Sequence, residues 1–207
     1  MSELLERLEG RLRDGDTTQV ATLVLAALVV TLATVWPTPG SGSNESWYPF
    51  AQARSVVLAL MALGYGASAA SEAPRRAVAT GLMVVLFALL VLPLEVAAHA
   101  ASYPATPLWW SLVSVPVATL GYVVLGVLVG RVVRAVRLGA FLPLLIPAAV
   151  VGLLVLDLRL GWTVLNPLTS AVAVSPLHLL IMGALGIVGV GVASVAWHRE
   201  RGEEGHR

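Results

Sequence analysis

Three ionisable side chains that could carry chemistry lie within or beside long apolar runs of the sequence: Glu95, His99 and His178. Placing an ionisable side chain at membrane depth costs free energy, so such a residue is a functional candidate by default. Glu95 and His99 are one helical turn apart, so on a helix they share a face. Two imidazoles at one depth would suit a haem or a metal ion held between helices, with the Glu95 carboxylate orienting His99.

Two other interpretations of these residues stay open. The side chains would hydrogen-bond water and neighbouring helix ends at the membrane interface, or they would contact a substrate that passes between the helices. No HxxxH or HExxH pattern is present, so the spacing itself is not typical of a metal site. We therefore predict no metal site and no catalytic residue, and we keep haem as an alternative only.

Other chemistries are excluded by residue types that the sequence lacks. All 13 basic residues are arginine, and a Walker A loop requires a lysine to reach the nucleotide phosphates. Without cysteine there is no thiolate zinc site and no thiol nucleophile. No GxSxG pattern of a serine hydrolase is present, and a net charge of +1 gives no basis for nucleic-acid binding. The chain is thus not expected to be an enzyme.

The elements that must position these residues are membrane-spanning helices. Hydrophobic residues make up 57% of the chain and charged residues 12%, whereas soluble domains contain about 25% charged residues. A spanning helix needs roughly 20 mainly apolar residues. The sequence predicts an all-α polytopic membrane protein with one transmembrane domain over 18–197, whose six spans lie near 18–36, 55–72, 77–98, 108–130, 138–157 and 177–197.

Charged segments flank and orient these spans. Residues 1–17 have leucines at helical spacing opposite charged residues, which is typical of an amphipathic helix in the membrane interface. Residues 198–207 form a polar tail. With both termini in the cytoplasm, only Arg54 and Arg159 among the arginines lie outside, as the positive-inside rule favours. Tryptophans such as Trp47 are expected to anchor the outer ends of spans.

The segment between the last two spans, LDLRLGWTVLNPLTSAVAVSP, is apolar but interrupted by polar residues and prolines. Irregular backbone at membrane depth is tolerated only where protein buries it or where it lines a cavity. Pro167 disfavours a helical conformation for Asn166. The segment is therefore expected to enter the outer leaflet as a short re-entrant hairpin broken at these two residues.

This layout resembles the membrane subunits of type-2 ABC exporters. LNPLTSAV at 165–172 is similar to an Asn-Pro-Leu-Thr stretch in that family, and VLPLEV at 91–96 and GRVVRAVRLGAFLPLLIP at 130–147 are similar to segments of its branch assigned to haem export in cytochrome c maturation. The resemblance implies a permease in a bacterial or archaeal cytoplasmic membrane. It implies a homo- or heterodimer in contact with membrane lipid and a separate ATP-binding subunit. The outer gate or substrate path would include Glu95, His99, Asn166, Pro167 and His178.

One departure from that family concerns the loop between spans two and three. Family members usually have a cytoplasmic coupling helix there, whereas this chain has only ASEAPRRAVATG. We expect the ATPase to dock at Glu72, Arg75 and Arg76. Two alternatives to a permease are a haem-binding or electron-transfer subunit that uses His99 and His178, and an accessory structural subunit of a membrane complex.

Overall fold

A computed structural model describes residues 36–37, 44–70, 74–137, 142–160, 167 and 175–204. In these parts of the chain the secondary structure is helical and there is no strand. The helices are α1 (Asn44–Ala69), α2 (Pro74–Ser102), α3 (Leu108–Ala135), α4 (Leu142–Leu160) and α5 (Pro176–Glu204). The predicted all-α class is confirmed.

Four of these helices are long and apolar enough to cross a membrane, which is the architecture of a membrane protein. The stretches that meet this criterion are Trp47–Ala69 in α1, Met83–Ser102 in α2, Leu108–Ala135 in α3 and Pro176–Ala196 in α5. They correspond to predicted spans two, three, four and six. A helix suits this environment because it satisfies its own backbone hydrogen bonds.

The remaining predicted segments are described only in part. Helix α4 has 19 residues and overlaps predicted span five, but it is not among the four candidate spans. Residues 1–35, with the interfacial helix and almost all of the first predicted span, lie outside the described residues, as does most of the predicted hairpin. Helix α5 continues to Glu204, so most of the predicted polar tail extends this helix.

The start of α1 differs from the sequence prediction in a way that matters for the site. The predicted span begins at residue 55, whereas the helix begins at Asn44 and its membrane-compatible stretch begins at Trp47. Arg54, which the sequence analysis placed outside the membrane, therefore lies within this stretch. Its side chain is buried, so the predicted position of Arg54 is corrected.

Helix α3 is the centre of the bundle and packs against α1, α2 and α5. Glycines allow the close approach of α1 and α3. A Cβ atom added at Gly126 would lie 2.9 Å from the Cα atom of Leu63, and one added at Gly130 would lie 2.5 Å from the carbonyl oxygen of Ala67. Such close contact is what small residues permit in membrane helix pairs. The two helices thereby hold their side chains in fixed register.

Helix α5 covers one side of α3 and exposes much of its opposite surface. Ile187 is 75% exposed and Leu180 is 68% exposed, while Gly186 lies against Leu120 of α3. Large apolar side chains exposed along a spanning helix are compatible with lipid contact, because lipid tails are as apolar as leucine. The polar side chains of interest instead lie inside the bundle.

Candidate functional site

A salt bridge between Arg54 and Glu95 lies at the centre of the site. Helix α1 provides Arg54 and helix α2 provides Glu95, and Arg54 Nη1 contacts Glu95 Oε2. The two side chains are 3% and 0% exposed. Taking a carboxylate and a guanidinium out of water costs several kcal/mol per ion, and mutual attraction repays this only with good geometry. Such a pair inside a helical membrane bundle is therefore a functional candidate.

His99 extends the pair toward the end of α2. Its Nε2 atom lies 2.9 Å from the backbone carbonyl oxygen of Thr106, and its Nδ1 atom lies 3.9 Å from Glu95 Oε1. A carbonyl oxygen can only accept a hydrogen bond, so Nε2 carries the proton. Nδ1 is thus the nitrogen that faces the carboxylate, and a proton added there would place an imidazolium beside Glu95.

Trp47 covers this end of the cluster. Its side chain is fully buried, and its ring meets the His99 ring edge to face with centroids 5.0 Å apart. The sequence predicted an interfacial anchor at this position, but the structure places Trp47 against the ionisable cluster. Edge-to-face packing with Trp47 favours one orientation of the imidazole ring.

Several polar atoms of the cluster make no hydrogen bond within the described part of the chain. They are Arg54 Nε, Glu95 Oε1, His99 Nδ1 and Trp47 Nε1, all of which are buried. Most buried polar groups in proteins have a hydrogen-bond partner, so these atoms make the cluster a candidate functional site.

A small cavity adjoins the other side of Arg54. It lies between α1, α3 and α5, has a volume of about 30 Å³, and is also bounded by Pro167. Arg54 Nη2 donates to the hydroxyl of Ser55 at 3.3 Å, and the ring of Tyr122 lies 6.4 Å from that of His178. The polar residues of the lining are Arg54, Ser55, Ser114, Thr119, Tyr122 and His178.

The structure separates the predicted outer-gate residues into two adjoining groups. Glu95 and His99 belong to the buried cluster, while His178 and Pro167 line the cavity. Asn166 lies outside the described residues. Arg54 joins the two groups, because it contacts Glu95 and also lines the cavity. Sequence reasoning missed this role, although an arginine next to a long apolar run was a signal that could have indicated it.

The two histidines have different surroundings. His99 contacts Trp47 and the Thr106 carbonyl, whereas His178 faces Tyr122 and the cavity. Ligation of a haem iron through His99 Nε2 would require loss of the hydrogen bond to Thr106. No group of three or more potential metal ligands occurs among the described residues.

The predicted ATPase-docking residues Arg75 and Arg76 lie at the end of α2 opposite to His99. Helix α1 ends at Ala69 and α2 begins at Pro74, so a separate coupling helix has no room between them. Arg75 and Arg76 lie in the first turn of α2, and neither their side chains nor Glu72 are among the described parts. At this end Arg134 Nη2 donates to the carbonyl oxygens of Ala67 and Ser68, at 3.2 and 3.3 Å, and so caps α1.

No protein-family model, no curated protein and no solved structure matches this chain. A functional assignment therefore depends on the residues themselves.

Proposed function

We propose that this chain is a transmembrane permease subunit of an ABC-type exporter, which moves a hydrophobic or amphipathic substrate with energy from a separate ATPase subunit. The substrate path passes the cavity lined by Arg54 and His178. The observation that carries the proposal is the buried Arg54–Glu95 pair beside this cavity, among helices able to span a membrane.

The cost of burying charge supports a transport role. A bundle that served only as a scaffold would gain stability from apolar side chains at these positions, since replacing a buried ion pair with hydrophobic residues is often neutral or stabilising. In membrane proteins such groups mark substrate or ion paths. The mixed lining of the cavity suits an amphipathic substrate, because apolar Leu58 and Val115 lie beside polar Arg54 and Ser55.

The resemblance described above implies a separate ATPase as the energy source, and the sequence has no lysine for a Walker A loop of its own. The ATPase docks at the cytoplasmic ends of α1, α2 and α3, around Glu72, Arg75 and Arg76. Because only four residues separate α1 from α2, a displacement of this connection by the ATPase is transmitted to both helices that carry the Arg54–Glu95 pair. Two copies of the chain, or this chain and a related subunit, enclose the substrate between them.

Mass spectrometry of the proteins that co-purify with this chain from native membranes in mild detergent tests the proposal. A stoichiometric subunit with a Walker A motif is the expected result. Stable co-purification only with redox subunits, or only with subunits that lack ATPase motifs, would overturn it. The first pattern would favour the haem-binding alternative, and the second would favour an accessory structural subunit.

A further inference from the structure

The guanidinium of Arg54 is in contact with Glu95 and also borders the cavity. Glu95 and an anion in the cavity would therefore compete for its positive charge. A guanidinium has five N–H donors and can bind a second carboxylate in a forked arrangement. Arg54 Nε makes no hydrogen bond in the described part of the chain.

The charge balance of the site limits what can bind there. With neutral histidines, and among the residues that the structure describes, Arg54 and Glu95 carry the only formal charges at the salt bridge and the cavity, and these two charges cancel each other. An anion entering alone would leave an uncompensated negative charge in a low-dielectric interior, which is strongly unfavourable. If one proton enters with a monovalent anion, the total charge stays the same.

We propose that the cavity binds a carboxylate group, and that Arg54 moves from Glu95 to this carboxylate as the Glu95–His99 pair takes up one proton. This inference rests on the proposed transport function and names the chemical class of its substrate and the proton that binds with it. The binding step is a proton transfer from solvent to the pair together with an exchange of ionic partners at Arg54, and no covalent bond to the ligand forms or breaks.

The size and lining of the cavity favour a carboxylate head. A volume of about 30 Å³ accommodates the polar head of a ligand, a group of a few atoms, and is too small for a haem. The Ser55 hydroxyl accepts from Arg54 Nη2, which leaves its own hydrogen free to donate to an anion. The same carboxylate chemistry could belong to a small acid or to an acid with an apolar tail that extends along Leu58 and Val115.

Within the described residues, the ionisable groups at the salt bridge and the cavity come from four helices. Helix α1 supplies Arg54 and α2 supplies His99 beside Glu95, while Tyr122 of α3 and His178 of α5 line the cavity with Arg54. Glu95 and His99 are in contact with each other, so one proton is assigned to the pair as a unit. Protonation of Glu95 removes its charge, which releases Arg54.

The first test counts protons in the purified full-length protein in detergent. Acetate or hexanoate is added to weakly buffered protein, and proton uptake is measured with a pH electrode while calorimetry gives Kd. We expect about one proton taken up per carboxylate bound and a Kd that rises about tenfold per pH unit as the solution becomes more alkaline. Hexanamide, which has no charge, should cause no uptake. Binding without proton uptake, or no binding of either acid, would overturn the proposal.

The second test uses variants of Glu95 and Arg54, the two residues whose ion pair is exchanged when the carboxylate binds. Glu95→Gln mimics the protonated carboxyl, so its Kd should lose the pH dependence and proton uptake should fall to near zero. Arg54→Gln should weaken carboxylate binding at least tenfold, whereas Arg131→Gln, at an exposed position near the end of α3, should match wild type. If Arg54→Gln does not fold, Arg54→Lys should still show weaker binding with unchanged proton uptake. A wild-type pH profile in Glu95→Gln would contradict the mechanism.

Comparison of the two acids identifies the source of the carboxylate. Tighter binding of hexanoate than of acetate would indicate an acid with an apolar tail, and equal binding would indicate a small acid. These assays require no ATPase, so a negative result rejects the carboxylate site while leaving the exporter proposal to the co-purification experiment.

Discussion

Arg54 and Glu95, from two different helices, form a salt bridge whose members are almost completely shielded from solvent. The pair lies where α1 and α2 approach each other, and His99 is the next polar side chain along α2. A buried ion pair of this kind holds its two helices together. It also makes the stability of the fold sensitive to mutation, because loss of either residue leaves a buried charge without a partner.

We predict that Glu95→Ala will destabilise the protein by about 3–5 kcal/mol, since Arg54 would remain buried and unpaired. Replacing both residues with methionine should restore most of the stability but not carboxylate binding. Thermal unfolding in detergent, followed by tryptophan fluorescence, measures both effects. Arg131→Gln removes an exposed charge and serves as the control. A melting temperature of Glu95→Ala equal to that of the control would contradict this prediction.

The sequence predicted the helical class, four of the spans and the ionisable residues Glu95, His99 and His178. It misplaced Arg54 because a charged residue at the edge of an apolar run is normally taken as the end of a span. Its partner Glu95 is far away in the chain, and only tertiary packing brings the two together. For the same reason Trp47 was expected at the lipid interface, although the His99 ring against which it packs belongs to another helix.

The close contact between α1 and α3 gives a second prediction. Gly126→Ala should destabilise the fold by about 1–3 kcal/mol, because a Cβ at this position would overlap the backbone at Leu63. Gly64→Ala is the matched control, since an added Cβ at Gly64 meets no atom within 4 Å. Thermal unfolding of both variants in one detergent provides the measurement. Because alanine has a higher helix propensity than glycine, Gly64→Ala should be neutral or stabilising. Equal destabilisation by the two substitutions would show that the contact with Leu63 is not the cause.

A third prediction concerns haem. The hydrogen bond from His99 Nε2 to the Thr106 carbonyl occupies the nitrogen that would ligate iron, so the purified protein should show no intense Soret band in its visible spectrum. Supplying haem during expression should leave this result unchanged. The contrary finding would be a Soret band that is lost in both His99→Ala and His178→Ala but kept in His198→Ala, where the histidine is exposed.

The orientation of α3 can be tested directly because the chain has no cysteine. The positive-inside rule places the arginine-rich end of α3 in the cytoplasm. A membrane-impermeant maleimide should therefore label Tyr103→Cys in intact cells, but Arg137→Cys only after permeabilisation. Ala98→Cys, at a fully buried position, should stay unlabelled in both cases. The reverse pattern would mean that the protein is inserted the other way round.

The last prediction addresses energy coupling at the proposed ATPase-docking surface. The triple variant Glu72→Gln, Arg75→Gln, Arg76→Gln should lose the co-purifying ATPase and abolish transport while the protein remains inserted, because an ionic docking surface depends on its charges. Quantitative mass spectrometry of membranes and purified complexes measures insertion and partner content together. Arg159→Gln, an exposed arginine at the opposite end of the bundle on α4, is the charge-matched control and should retain the ATPase.

Retention of the ATPase by the triple variant would move the docking site to other surfaces of the cytoplasmic end. Exposed Arg131 and Arg137 would then be the next residues to change, since Arg134 between them is already engaged in capping α1.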